Sequence, residues 1–231
     1  MFQDFWQAHY FKFYSLLIGY AFGHIQTSYL LGKTFKKIDI REHGTGNPGM
    51  SNSLSVMGVR YAFIILVIDV LKSFGAYTVC SILFNGVGAS VGESFVFGDG
   101  SNGILPGMYG SFGAILGHAF PVYMRFKGGK GMACILGLIL ALDVLMTGLM
   151  ILIALLTIII TRFFSPAAII TLFTLPISIA IFFRNDPHGI EAVFVAVFIG
   201  CVLMVKHIDN IKRIKNGTES RIGRKAKQPP G

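Results

Sequence analysis

The sequence predicts an all-α, polytopic membrane protein of about seven transmembrane helices, with its N-terminus outside and its C-terminus in the cytoplasm. Three observations carry that prediction. Apolar residues make up 53% of the 231 residues and charged residues only 13%, where an ordinary globular chain has about a quarter charged. The mean hydropathy is +0.66, and the apolar residues arrive in runs long enough, or nearly so, to cross a bilayer. The basic residues gather in alternate loops, which sets the threading of the chain.

The runs lie at about 11–32, 59–84, 103–123, 131–142, 145–161, 165–183 and 189–206, followed by a polar tail over about 207–231. The first has no basic stretch before it and no small-residue cleavage site, so it reads as a retained span, not a signal peptide. The second carries Asp69 and Lys72 at i, i+3. Charges in hydrocarbon are costly and turn inward in pairs, so an internal salt bridge is expected there. Gly19 and Gly23 in the first run, and Gly103, Gly107, Gly110, Gly113 and Gly117 in the third, have the spacing that lets helix backbones approach closely.

The fourth and fifth runs form one apolar stretch split at Asp143, and neither half reaches the usual ~20 residues. One long helix there would leave six spans, and the loop charges decide against it. With seven spans, every Lys and Arg except Lys12, Lys72 and Arg184 falls on one side, in the segments 33–60, 124–130, 162 and the tail. Merging the two runs would place the tail opposite the first two of those segments. The segment 85–102, with Gly86, Gly88, Glu93 and Asp99 but no Lys or Arg, is then external. No linker or internal repeat appears, so residues 1–231 read as a single transmembrane domain.

Composition also excludes several functions. The net charge of +9 could suggest nucleic acid, but most of the surface that would bind it faces lipid. Cys80, Cys134 and Cys201 lie inside apolar runs with no CxxC or His at ligand spacing, so they read as buried inert thiols, not disulfides or a metal site. None of the six histidines is followed by Asp four residues later, and GxSxG and HExxH are absent.

What remains is three polar segments on the cytoplasmic side, each suited to an anion. The first, Gly44-Thr45-Gly46-Asn47-Pro48-Gly49, is a literal GxGxxG, but a loop between spans cannot supply the βαβ unit a dinucleotide site needs. Its glycines could still bare backbone N–H groups to an anion. Thr45, Asn47, Ser51 and Asn52 add neutral donors. A purely structural turn is the alternative. The second, Lys127-Gly128-Gly129-Lys130-Gly131, offers two ammonium groups and bare amides at a helix N-terminus. Its alternative is simple snorkelling of the two lysines. His118, just before it, could bond a backbone carbonyl or touch substrate. The third begins with His207 and Asn210, which at i, i+3 share one helical face at the membrane mouth. A basic tail alone would be read as a contact with anionic lipid.

Together these segments resemble the bacterial acyl-phosphate:glycerol-3-phosphate acyltransferases, the PlsY family. The matching stretches are Asp39-Ile40-Arg41 leading into Gly44–Gly49, then Gly117-His118-Ala119-Phe120-Pro121 with Phe126-Lys127-Gly128-Gly129-Lys130-Gly131, and then His207 to Glu219. The resemblance implies acyl transfer from acyl phosphate to the 1-hydroxyl of glycerol 3-phosphate, giving lysophosphatidate and phosphate in phospholipid biosynthesis. It places the chain in the bacterial inner membrane with its active site facing the cytoplasm, and asks for no metal or soluble cofactor, because the mixed anhydride is already activated.

By the same resemblance Thr45, Lys130, His207 and Asn210 form the catalytic group. Arg41, Gly44, Gly46, Asn47, Gly49, Ser51, Asn52, His118, Lys127, Gly128, Gly129 and Gly131 bind substrate. The chain departs from the family at Ser55, where the family has Arg, and at Gly23-His24-Ile25-Gln26, where it has Gly-Ser-x-Pro. Those departures keep open transfer to another small hydroxyl acceptor, and a non-catalytic lipid-binding or transport protein stands as the reading from a different class.

Overall fold

The structure, a computed structural model, describes residues 2–85 and 104–219. Among them all regular structure is helical. The principal helices are α1 (Phe2–Gly23), α2 (Thr27–Leu31), α3 (Met50–Met57), α4 (Val59–Asn85), α5 (Ile104–Ala119), α6 (Met132–Leu142), α7 (Val144–Thr161), α8 (Phe164–Phe182) and α9 (Gly189–Lys215). Four of the described helices, α4, α7, α8 and α9, are long and apolar enough to cross a membrane, and α6 is a shorter apolar helix. The expected external segment after Asn85, Gly103 and the tail from 220 lie outside the described residues.

Asp143 explains the split between α6 and α7. Its backbone is extended (φ −161°) and its carboxylate accepts the Met146 N–H at 2.6 Å, so it stops one helix and caps the next. Arg162, in a left-handed conformation (φ 62°), makes the turn from α7 to α8. The first apolar run, expected to be continuous, breaks at 24–26. There Gln26 donates its side-chain amide to the carbonyls of Gly23 (3.3 Å), Gly117 (3.3 Å) and His118 (2.9 Å), which draws the chain out of α1 and onto the end of α5.

Helix α5 is the centre of the bundle. It packs on α1, α4, α6 and α9, and every residue in it except Tyr109 and Leu116 is buried. Glycine makes the α1 contact possible: a Cβ on Gly19 would sit 1.8 Å from the Gly110 carbonyl oxygen, and one on Gly113 would sit 2.2 Å from that of Leu16. The expected salt bridge is present. Lys72 Nζ lies 2.7 Å from Asp69 Oδ1, with both side chains 2% exposed. Lys72 also donates to Ile25 O and to His118 Nδ1, each at 2.8 Å, and Thr27 donates to Asp69 at 3.2 Å. The pair therefore knits the α1–α2 break to α4 and α5. Cys80 and Cys134 are buried as expected, whereas Cys201 is exposed on α9 because it lies on the face turned away from the core.

Candidate active site

The first polar segment is shaped by two side chains that hold backbone. Asp39 caps the turn Ile40–Glu42, accepting the Arg41 N–H at 3.1 Å, and takes the Arg41 guanidinium in a two-point ion pair at 2.9 and 2.7 Å. That hydrogen-bonded guanidinium holds the Asp39 carboxyl well below the usual carboxylate range, and the Arg41 pKa is raised in return. Asn52 is buried at the start of α3. Its Oδ1 accepts the Thr45 N–H at 2.8 Å, and its Nδ2 donates to the carbonyls of Ile40 (3.2 Å) and His43 (3.0 Å). With its amide satisfied on both sides, Asn52 braces the loop instead of lining a site.

The second segment is laid over the end of α5. Gly128 N–H donates to Ala119 O at 3.2 Å and Gly129 N–H to His118 O at 3.0 Å. The approach is close enough to require glycine: a Cβ on Gly128 would stand 2.1 Å from His118 O, and one on Gly129 2.1 Å from His118 Nε2. His118 therefore supports the loop from below, and it is buried among Lys72, Asp69 and Gly129. Just before the glycines, Arg125 (φ 54°) and Phe126 (φ 61°) are both left-handed, a conformation that costs roughly 1–2 kcal/mol per non-glycine residue.

The third segment is a continuation of α9, which runs past its apolar stretch to Lys215. Lys206 donates to Ala119 O at 2.9 Å and lies over the Phe120 ring at 4.7 Å. His207 is buried and its Nδ1 sits 2.9 Å from Leu203 O. A carbonyl only accepts, so Nδ1 carries the proton and Nε2 of the neutral ring is the basic nitrogen. Asn210 accepts from Lys130 Nζ through Oδ1, while its Nδ2 donates to Ser165 Oγ and to Glu219 Oε1 at 2.8 Å. Glu219 returns to the helix because Gly217, at φ 68°, reverses the chain. It also accepts from Arg213 Nε at 2.7 Å and from Ser165.

Burial pushes the Glu219 carboxyl up, but hydrogen bonds from Ser165, Arg213 and Asn210 outweigh it and leave the group below its ordinary value. Lys130 is pulled down to about 8, first by burial and then by the Arg213 charge.

These three segments meet at an open cavity of about 530 Å³. Of the residues expected from sequence, Arg41, Thr45, Gly46, Asn47, Lys127, Gly128 and Lys130 line it. His207, Asn210, Asn52, His118, Gly44, Gly49, Gly129 and Gly131 are not in its wall, and Ser51 is exposed on α3 outside it. One expectation is corrected. The amides of Gly46, Gly49, Gly128 and Gly129 were expected as anion donors, but they bond to the carbonyls of His43, Asn47, Ala119 and His118. Their glycines serve turn geometry and close approach.

Sequence reasoning missed Lys206 and Arg213 as wall residues, together with Glu42, Phe126, Val205 and Asp209. Their signal was the continued helical spacing of 206, 209 and 213 past the hydropathy boundary. Ser55 is exposed and outside the wall. The cavity thus presents the cations Arg41, Lys127, Lys130, Lys206 and Arg213 against the carboxylates Glu42 and Asp209, an excess of positive charge suited to phosphate groups.

The sequence matches the family described as Glycerol-3-phosphate acyltransferase over residues 13–217. A glycerol-3-phosphate acyltransferase of Shouchella clausii (strain KSM-K16) is 32% identical over 214 residues, covering 91% of this chain and 96% of the relative. That of Halalkalibacterium halodurans is 33% identical over 211 residues, covering 91% and 95%. Among solved structures, the fold is similar to that of PlsY, an integral membrane glycerol 3-phosphate acyltransferase. Its glycerol 3-phosphate form gives a TM-score of 0.74 at 27% identity, covering 92% of this chain and 96% of that one. Its lysophosphatidic acid form gives 0.72 at 25% identity, covering 92% and 95%.

Proposed function

The chain belongs to the glycerol-3-phosphate acyltransferase family, and from that premise we propose that it moves a fatty acyl group from acyl phosphate to the 1-hydroxyl of glycerol 3-phosphate. The products are lysophosphatidate and inorganic phosphate. The reaction takes place at the cytoplasmic face of a bacterial cell membrane, in a single seven-span domain. One observation carries the reading: a cavity of about 530 Å³ where three segments distant in sequence pool five cationic side chains. Both reactants are phosphates, and such a cavity would hold their phosphates near one another.

In the reaction the acceptor hydroxyl oxygen bonds to the acyl carbon, and the bond from that carbon to the phosphate oxygen breaks. Lys130 and Lys127 neutralise charge gathering on the acyl-phosphate oxygens. Asn210 holds Lys130 in place, since Glu219 and Ser165 take its amide hydrogens and leave Oδ1 facing the ammonium. Thr45 and Arg41, which also line the cavity, position the acceptor. Two groups are candidates for the hydroxyl proton: an oxygen of the departing phosphate, or His207 at Nε2, which lies buried outside the cavity wall and would need a proton path to it. His207→Gln separates them, because loss of the acidic limb in the pH profile of kcat/KM identifies the imidazole as the base.

The direct test supplies purified protein with palmitoyl phosphate and labelled glycerol 3-phosphate. Labelled lysophosphatidate and stoichiometric phosphate are expected. Neither product at any pH would sink the reading. A second reading is favoured by Ser55, which stands exposed where the resembled family has Arg: the same donor used with another small hydroxyl acceptor. Phosphate release that requires some other alcohol and ignores glycerol 3-phosphate identifies that case.

A further inference from the structure

Several cations on the surface are answered by a carboxylate. Asp39 takes Arg41 and, at 3.4 Å, Lys33; Lys212 lies 3.9 Å from Asp209, and Arg213 meets Glu219. Lys36, Lys37 and Arg60 are exposed and, among the described residues, form no ion pair. Unpaired surface cations are ordinary on a membrane protein, and these three are set apart by what surrounds them. Lys36 Nζ lies over the Tyr61 ring at 5.0 Å, and the Phe35 ring stands 6.4 Å from that same ring. Phe35 is 63% exposed. Val59 and Phe63, one turn apart at the start of α4, are exposed apolar side chains, so this end of the helix stands against hydrocarbon.

The backbone is shaped to present the group. Gly32–Lys36 forms a π-helical turn, and Lys37 closes it in a left-handed conformation (φ 55°). Both are uncommon, and a π turn often marks a functional site. Phe35, Lys36 and Lys37 are consequently exposed in succession. Beneath them Ile40, Met57 and Ile65 make a small buried core on which Tyr61 packs, so the ring under Lys36 is fixed in place.

Unpaired cations beside aromatic rings at the edge of hydrocarbon match an anion that is itself anchored at the bilayer surface. Aromatic side chains settle at headgroup level, and anionic lipid attracts Lys and Arg placed near that surface. A soluble anion would gain nothing from an exposed phenylalanine. We propose that Phe35, Lys36, Lys37, Arg60 and Tyr61 bind the headgroup of an anionic phospholipid of the surrounding bilayer. The three cations hold its phosphate, Phe35 sits among the headgroups, and Tyr61 keeps the Lys36 ammonium at that level. None of the five lines the cavity, so the site is separate from the proposed acyl transfer and does not rest on it.

The experiment places the full chain in nanodiscs of equal phosphatidylglycerol and phosphatidylcholine and releases it for native mass spectrometry. The protein should retain phosphatidylglycerol in preference. Combining Lys36→Gln, Lys37→Gln and Arg60→Gln should abolish that preference, each cation contributing roughly fivefold at low salt. A variant that keeps the preference overturns the site. Arg162→Gln, Lys212→Gln and Lys215→Gln together remove the same charge elsewhere and should leave the preference intact; an equal loss there would make it a property of the overall field and overturn the site. Excess inorganic phosphate should not displace the lipid, and displacement would assign the patch to a soluble anion instead. Because a bound lipid stabilises the folded chain by mass action, the unsubstituted protein should also melt at a higher temperature in phosphatidylglycerol than in phosphatidylcholine discs, and the same melting temperature in both counts against the site.

Discussion

Lys130 carries a pH dependence that can be signed. Its pKa in the folded protein is about 8, below that of a free lysine, so the half-buried ammonium is penalised below that pH and relieved above it. The stability associated with this group is fully present above the unfolded lysine pKa and is lost as pH falls through about 8. Substrate works in the opposite sense, because a phosphate wants the ammonium. Affinity for glycerol 3-phosphate is therefore expected to fall as pH rises through about 8, and binding above that pH should take up a proton. Calorimetry in two buffers of different ionisation enthalpy measures the uptake, and equal heats in both would refute it.

Asn52→Ala should cost roughly 1–3 kcal/mol by orphaning the Thr45 N–H and the Ile40 and His43 carbonyls. A thermal melt in detergent checks it, and KM for the phosphate substrates should rise as the loop loosens. At this scale sequence revealed which residue types assemble but not what each one touches. Lys130 and Asn210 could be singled out from charge and helical spacing. That the glycine amides are taken by carbonyls could not, because the carbonyls of Ala119 and His118 reach Gly128 and Gly129 only once the loop has folded back over α5.

Among the elements, the second loop depends on how tightly it lies on α5. Gly129→Ala would press a methyl group against His118 Nε2, at 2.1 Å before relaxation. Displacing the loop moves Lys127 and Lys130 with it, and a shift near 1 Å can cost about a hundredfold in rate. A matching loss of kcat/KM is expected, with far-UV circular dichroism unchanged. Gly19→Leu should act elsewhere, splitting α1 from α5 and lowering the melting temperature, because the new side chain would meet the Gly110 backbone. The helix break at Asp143 was legible because the loop charges required two spans there, and the Asp143 N-cap makes the break locally. The break at 24–26 was not, since Gln26 bonds carbonyls about ninety residues further along the chain. The reach of α9 beyond 206 was legible only in part: His207 and Asn210 share a helical face past the point where hydropathy stops, and Ile208, Ile211 and Ile214 keep the period on toward Lys215.

For the molecule as a whole, the distribution of Lys and Arg makes a topological prediction. A cysteine placed at Arg125 and another at Asn216, each in a Cys201→Ser background, should react with an impermeant maleimide from the same side of sealed vesicles, the cytoplasmic one. Labelling from opposite sides would dismantle the cavity and the function argued from it. That expectation rests on the charge asymmetry along the sequence, whereas the way α5 gathers α1, α4, α6 and α9 around itself was visible only as a glycine rhythm. The polar tie at the far end of α9, Glu191 to Lys12 and Tyr109, had no counterpart in the sequence reading.

The Glu219 carboxylate, reached through the reversal at Gly217, also bears on how the protein is made. Lys130 emerges from the ribosome eighty residues before Asn210, which it contacts, and about ninety before Glu219. A nascent chain halted before Glu219 would already hold its spans in the bilayer yet leave Asn210 and Arg213 without their common anchor. On the proposed function, the site would therefore be completed only late in synthesis, when the reversal at Gly217 brings Glu219 back to Asn210 and Arg213.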